Sequence, residues 1–434
     1  MALGGGTFIA QNKKLPGAYI NFVSLASASA TLSDRGYAAL GILSDWGQSG
    51  EIFEVTNGDF QKNSLKIFGY SYDNPKLKGL RDLFLYVKTL YAYRLNGDGK
   101  KAENDYATAK YAGIRGNDLK IIIAANADNA SAFDVTTVLG TSTVDVQTVT
   151  KADELVANDW VTFKKGAELT VTAGVALTGG TNGEVNGEAH QKFLDLAESK
   201  TFNTIGCVST DDTIKRLYAS YVKRLRDDMG KKFQAVIYQY PGDYEGVINV
   251  KNKPEDGDTD ADLVYWVTGA EAGCNVNKSL LNKKYDGEYK INVDFTQSQL
   301  EKAIDHGEFT FHQVDDNIRV LSDINSLVTT SDTKSDIFKD NQTIRVIDQI
   351  GNDIAVLFNT KYLGVVPNDN AGRISLWSDI VQHHEQLQAI RAIEDFKDKD
   401  VTVSQGLTKK AVVVDDAVTV VNAMEKLYMT VTIS

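Results

Sequence analysis

A run of glycines and small polar residues, Gly179-Gly180-Thr181-Asn182-Gly183, separates two hydrophobic periodicities, and this change of period limits what the chain can fold into. Before it, short Thr/Val-rich segments at 119–124, 133–139, 144–149, 160–163 and 169–176, punctuated by Gly140 and Gly166, show the pattern of a small sandwich. After it, helical and strand-like segments alternate, which is the signature of an α/β layer. Helices are expected over 187–200, 211–229 and 260–271, and strands over 204–208, 233–238, 309–314 and 318–321. The helix over 211–229 is the best defined. Its Ile214, Leu217, Tyr218, Tyr221, Val222 and Leu225 share one face, and Gly230 stops it.

On the N-terminal side, 37–43 reads as a strand and 78–89 as a helix, with Leu80, Phe84, Val87 and Tyr91 at helical spacing, before Asn96-Gly97-Asp98-Gly99 breaks the chain. The last hundred residues read as two long helices, 335–360 and 373–396, followed by strands near 400–404, 411–421 and 424–433. Both extremities carry β-segments with no obvious local partner. At the start, Tyr19, Ile20, Phe22 and Val23 lie between glycine-rich and Ala/Ser-rich flanks that let the segment reach away from its body. At the end, Leu427, Met429, Val431 and Ile433 alternate almost to the last residue. An apolar terminal strand is an aggregation hazard unless another chain is its intended partner.

With 434 residues, about three domains are expected at roughly 150 residues each. A hydrophobic content of 42% and a charged content of 24% exclude wholesale disorder and fibrous composition. The net charge of −12 argues against a nucleic-acid binder or a binder of anionic membranes. That charge sits on the body: 1–30 carry +2 and 401–434 are neutral, which leaves −14 on 31–400. Cys207 and Cys274 form no CxxC pair, so neither a disulfide framework nor a cysteine zinc site is expected. The opening residues lack the charged and apolar regions of a signal peptide, and no apolar run reaches membrane-spanning length, so a soluble cytoplasmic product without membrane insertion is expected.

Chemistry motifs are incomplete throughout. The Gly179–Gly187 stretch lacks the spacing and lysine of a P-loop and reads as a turn. Asp256, Asp258, Asp260 and Asp262 alternate as in a calcium loop, but Ala261 and Val267 stand where an EF-hand needs Gly and Glu. His190, His306, His312, His383 and His384 form no HExxH or Cys/His cluster, and His383, in phase with Leu376, Ile380, Leu387 and Ile390, reads as a histidine at a helix interface. No GxSxG elbow is present, and His306-Gly307 lacks the surroundings of a subtilisin-type histidine. Lys215, Arg216, Lys223, Arg224 and Arg226 read as a solvated or subunit-contacting helix face rather than a nucleic-acid patch. No catalytic residue, cofactor or metal is expected.

Four motifs in order, Leu15-Pro16-Gly17-Ala18-Tyr19-Ile20, 177–183, 323–327 running to Phe338-Lys339-Asp340-Asn341, and Met424-Glu425-Lys426-Leu427-Tyr428-Met429, resemble the contractile tail sheath proteins of myophages. The nearest look is to the shorter sheaths of Gram-positive phages and phage-tail-like bacteriocins. The resemblance implies a self-assembling subunit of stacked hexameric rings around a tail tube, meeting baseplate and tail terminator proteins, that contracts to drive the tube through a cell envelope. It places the protein in a virion tail or phage-tail-like particle, assembled in the host cytoplasm. It implies an α+β multidomain fold: a β-sandwich-like outer insertion, a central α/β domain of subtilisin-like layout without its triad, and an α+β C-terminal domain lining the tube.

The implied division is an extended N-terminal arm over 1–30, the first part of the inner α+β domain over 31–97, the outer insertion over 98–178, the central α/β domain over 179–322, the inner C-terminal domain over 323–422 and an arm strand over 423–434. Tyr19, Ile20, Phe22, Val23, Val412, Val414, Leu427, Met429, Val431 and Ile433 are then the residues that link subunits by strand donation. Burying each large apolar side chain gives ~1.5–3 kcal/mol, against ~1–2 kcal/mol per residue for ordering the backbone, so one donated strand roughly breaks even. Two per subunit on a preformed lattice gain from effective concentration. An α/β hydrolase or peptidase and a surface-array subunit are the rival readings.

Overall fold

The structure, a computed structural model, describes residues 32–433. They fall into two compact units: a larger one of 34–351 with 420–433, and a smaller one of 352–419 with Leu32 and Ser33.

The larger unit begins with β1 Tyr37–Ile42, β2 Phe53–Thr56, α1 Asn57–Phe68, α2 Lys78–Phe84 and β3 Thr89–Arg94. An insertion follows, with β4 Ala107–Ala109, β5 Leu119–Ala125, β6 Phe133–Leu139, β7 Ser142–Val149, β8 Val161–Phe163 and β9 Thr172–Ala176. Then come α3 Gly187–Ala197, β10 Thr204–Cys207, α4 Asp212–Asp227, β11 Gln234–Tyr238, β12 Val247–Val250 and α5 Leu263–Gly273. Next are α6 Gln297–Asp305, β13 Glu308–Phe309, β14 Phe311–Val314 and β15 Asn317–Val320.

Seven strands make one sheet in the order β13-β12-β11-β10-β1-β3-β2, parallel throughout except for β2, which runs antiparallel to β3 at one edge. Parallel strands covered on both faces are near-continuously apolar, and β10, β11 and β12 are buried at every position. Period-two alternation divides their side chains. Ala39, Ile205, Ala235 and Ile237 join Phe193, Tyr218, Val222 and Leu225 of α3 and α4 on one face. Val236, Ile248 and Val250 join Val264, Trp266 and Val267 of α5 on the other. A Cβ on Gly269 would lie 2.4 Å from the Leu83 carbonyl oxygen, so α5 reaches α2 only because glycine stands there.

This sheet changes the expected grouping. Segment 31–97, placed by sequence with an inner domain, supplies β1, β2 and β3 to the same sheet as β10 to β13. The pairing is non-local: Ala38 of β1 sits opposite Leu90 of β3 and Thr204 of β10. Segment 323–351, grouped by sequence with the C-terminal domain, also belongs to this unit, where the Ser326 N–H donates to the Val247 carbonyl at 2.8 Å. The helix expected over 78–89 stops at Phe84, because Val87 is taken into the core around α1 and α2 while Tyr91 enters β3.

The insertion holds a four-stranded antiparallel sheet, β7-β6-β5-β9, and the separate pair β4-β8, around Leu119, Ile121, Val135, Trp160 and Phe163. The chain enters and leaves it through one seam. Thr181 N–H donates to the Lys100 carbonyl at 3.0 Å and Gly183 N–H to the Asn96 carbonyl at 2.9 Å. A Cβ on Gly99 would lie 1.8 Å from the Thr181 oxygen, so the seam closes only on glycine. Buried Arg94 clamps it, donating to the carbonyls of Ser44 at 2.9 Å and Ala112 at 2.6 Å and to Asn182 Oδ1 at 3.2 Å. Burial lowers the pKa of Arg94 to about 10.

On α2, Asp82 is buried and accepts from the Glu288 N–H at 2.8 Å and the Tyr285 hydroxyl at 3.0 Å. Burial raises its pKa from 3.8 to about 6. Its folded pKa therefore exceeds the unfolded one, so its contribution is fully present below pH 3.8 and is lost as pH rises through about 6. The loss is on the order of 3 kcal/mol at 1.36 kcal/mol per unit. Asp82→Asn, which can keep both partners, should flatten the thermal midpoint of this unit across that pH window; equal slopes in wild type and variant would reject the assignment.

The smaller unit contains the end of α7 Asn341–Leu357, within which the division falls, then α8 Asn370–Ala389, β16 Ile393–Glu394, β17 Val401–Gln405 and β18 Val412–Asp416. The helix expected to start at 335 starts at Asn341, after a separate 3₁₀ turn Asp336–Lys339, and α8 ends at Ala389 rather than near 396.

Candidate subunit-linking surface

Four of the ten expected linking residues, Tyr19, Ile20, Phe22 and Val23, lie outside the described residues. Val412 and Val414 stand in β18, paired with Gln405 and Val403 of β17. β17 and β18 form a two-stranded sheet, so among the described residues the outer edge of β18 has no strand partner. An isolated hairpin is marginal alone. This one is pinned by the Trp377 Nε1–H on the Val401 carbonyl at 3.0 Å and by Asn368 Nδ2 on the Ala411 carbonyl at 2.8 Å. A cleft of about 100 Å³ lined by Phe358, Tyr362, Val366 and Arg373 opens beside Val412.

The other four residues lie on the C-terminal segment, which belongs to the larger unit. Its root is fixed: Gln342 Nε2 donates to the Val421 carbonyl at 2.9 Å, the Ala423 N–H to Gln342 Oε1 at 3.0 Å, and Ser322 Oγ to Glu425 Oε1 at 3.1 Å. Past Glu425 the chain leaves the surface. Leu427 is 85% exposed, Met429 73%, Val431 67% and Ile433 90%. The strand expected over 424–433 is not formed, and the one expected over 411–421 breaks after Asp416. A β-strand exists only in a ladder, and no strand of the described chain pairs with 424–433.

The motifs weighed in the sequence fall, among the described residues, on structural contacts. The donors of Gly180, Thr181 and Gly183 are taken by Asn117, Lys100 and Asn96, so this loop is a seam rather than a phosphate cradle. Asp256 pairs with Lys78 at 2.8 Å, and Asp262 accepts from Thr259. Among the described residues, no three His, Cys, Asp or Glu side chains are placed to hold a metal ion. His306 is exposed at the end of α6. On α4, Asp211 caps the helix by accepting from the Thr213 and Ile214 N–H groups. The expected solvated or subunit-contacting basic face is corrected at two positions: Lys215 and Arg226 are buried within the chain, Arg226 paired with the buried Asp348 and Lys215 reaching out to the exposed Asp212.

Sequence reading missed one cluster altogether. Arg345, buried, donates from Nη2 to Glu271 Oε2 at 2.9 Å and Asp323 Oδ2 at 3.1 Å, while Asn341 Nδ2 reaches both carboxylates at 3.3 and 3.0 Å. Arg35 donates to the carbonyls of Glu271 and Cys274. Burial, then the neighbouring Asp323, pushes the Glu271 carboxyl well above its usual range, with Arg345 pulling the other way. The five residues come from four separate stretches, Asn341 and Arg345 one turn apart on α7 and the others far away in sequence, so no local spacing signals the cluster.

A mainly parallel seven-stranded sheet thus carries an inserted antiparallel sandwich, and the C-terminal segment runs on with exposed apolar side chains. The chain belongs to the phage tail sheath family. The family's β-sandwich domain matches 96–182, its central domain 183–326 and its C-terminal domain 333–434. It is 35% identical to the phage-like element PBSX protein XkdK of Bacillus subtilis, with both chains covered in full. It is similar in structure to the sheath tail protein of Desulfitobacterium hafniense, at 37% identity and a TM-score of 0.84, covering 95% of this chain and 99% of that one. The helical sheath of the anti-feeding prophage in its contracted state shares the fold, at a TM-score of 0.57 and 13% identity over 97% of this chain and 99% of that one. The family is a structural one, not an enzyme family, which removes the hydrolase alternative. No described helix is long and apolar enough to cross a membrane.

Proposed function

We propose that this sheath subunit polymerises as helically stacked hexameric rings around a tail tube, linked by strand donation, and that the polymer shortens and widens when the baseplate triggers it. Baseplate, tube and terminator proteins would be its partners, in a tail particle assembled in the host cytoplasm. The observation that carries this reading is the C-terminal segment, anchored as far as Glu425 and then projecting exposed apolar side chains at alternating positions. The unpaired edge of β18, with Val412 and Val414, is the edge we assign to receive a neighbour's strand. Residues 1–30 would supply the second donated segment through Tyr19, Ile20, Phe22 and Val23. We also read the helix-covered parallel sheet as a subtilisin-like layer kept as scaffold, with contraction driven by rearranged subunit contacts and no nucleotide.

Truncation after Glu425 keeps the root bonds and removes only the projecting residues. By electron microscopy the full chain should form tubes or rings, and the truncated chain, or one lacking residues 1–23, should remain monomeric with an unchanged melting midpoint. Normal-length tubes from either truncation would refute strand donation.

A further inference from the structure

The helix-interface reading of His383 leaves something out. His383 and His384 are consecutive on α8 and both fully buried. Their rings meet: His383 Nδ1 lies 3.2 Å from His384 Nδ1. Each ring also turns its far nitrogen to a carboxylate, His383 Nε2 to Asp353 Oδ2 of α7 at 3.0 Å and His384 Nε2 to Asp416 Oδ2 of β18 at 2.8 Å. Asp353 Oδ2 also accepts from the Ser33 N–H at 3.2 Å. The Phe396 ring covers His384 at 5.0 Å, and β17 brings the apolar Val401 into this unit's interior. Among the described residues, the charged groups set against the pair are Asp353 from α7 and Asp416 from β18.

An ionised carboxylate only accepts, so both Nε2 atoms carry hydrogen. The contact between the two Nδ1 atoms needs one more, because two lone pairs or two N–H groups facing each other at this distance repel. Two rings with three protons carry one positive charge. We propose that His383 and His384 share a single proton between their Nδ1 atoms, and that this shared charge is a pH-sensitive lock. It joins α8 to α7 beside Ser33 and to β18.

Removing the proton at high pH leaves two Nδ1 lone pairs face to face, and adding a second at low pH leaves two N–H groups face to face; both Nε2–H donors remain, but repulsion at Nδ1 pushes the rings apart and loosens their hold on the two carboxylates. The lock therefore closes over a limited window and opens on either side of it, a bell-shaped dependence that a lone buried histidine would not give. Histidine is the side chain whose charge changes near neutrality. The proposal does not depend on strand donation, since it concerns bonds within one chain.

The direct test is ¹⁵N NMR of the full chain labelled at its five histidines, with His383→Gln and His384→Gln assigning the pair. At neutral pH the wild type should show two Nε2–H nitrogens and two Nδ1 nitrogens with shifts averaged between protonated and bare. Hydrogen exchange of 412–416 should be slowest near neutrality and about 10- to 100-fold faster, after correction for intrinsic rates, at about pH 4.5 and about pH 9, the range lost with one charge-assisted hydrogen bond. His383→Gln keeps a donor for Asp353 and should abolish that bell shape. Two neutral rings at neutral pH, a monotonic or flat exchange profile, or one equivalent of bound metal in the purified chain by elemental analysis would each overturn it.

Discussion

Arg345→Met should strongly destabilise the larger unit, costing ~3–5 kcal/mol, the range found when one partner of a buried ion pair is removed. The reason lies in what remains. Glu271 and Asp323 are each about 1% exposed and share this guanidinium and the Asn341 amide. Without the cation, two neighbouring carboxylates must stay ionised in an apolar interior or bind protons. The sign follows from the wild type, where Glu271 already titrates well above its ordinary value. A raised carboxyl contributes stability that is complete at low pH and fades as pH rises through the folded value. The variant's deficit should therefore shrink on acidification and be greatest at neutral and alkaline pH, as read from urea midpoints across pH. Adding Glu271→Gln and Asp323→Asn to Arg345→Met should recover part of the loss. No recovery would mean that the guanidinium acts through packing alone.

Trp46→Ala should loosen the seating of the inserted sandwich at a cost of ~3–5 kcal/mol, as for large-to-small changes in a core. Trp46 follows β1, outside the insertion, yet its ring sits in the sandwich core, 5.5 Å from Trp160 and 5.3 Å from Tyr111, with Nε1 donating to the Lys66 carbonyl at 3.3 Å. It works beside the Arg94 clamp and the 96–100 seam, so the variant should expose cleavage sites at the seam before the seven-stranded sheet melts. Limited proteolysis followed by mass mapping would show this. Cleavage appearing first in α3 or α4 would place the role of Trp46 elsewhere.

The sequence by itself settled matters of local period and local chemistry. The α4 helix could be read from one apolar face and a glycine stop, because each of these acts within a few residues. The β-only insertion and the alternating layer could be read from where the period changes. The C-terminal segment could be marked as strand-competent because alternation is written in the chain. It forms no strand here, since a ladder partner is a tertiary matter. Nothing local could show that β1 sits between β3 and β10, joining segments about 110 residues apart in sequence.

Spacing likewise could not reveal that Arg345 gathers acids from α5 and the 323 loop, or that two adjacent histidines would meet ring to ring between Asp353 and Asp416. Helical phase assigned His383 to an interface but said nothing about the facing side chains. Burial turns such groups from solvated bystanders into coupled charges, because removing water makes each depend on a partner that only the folded chain supplies.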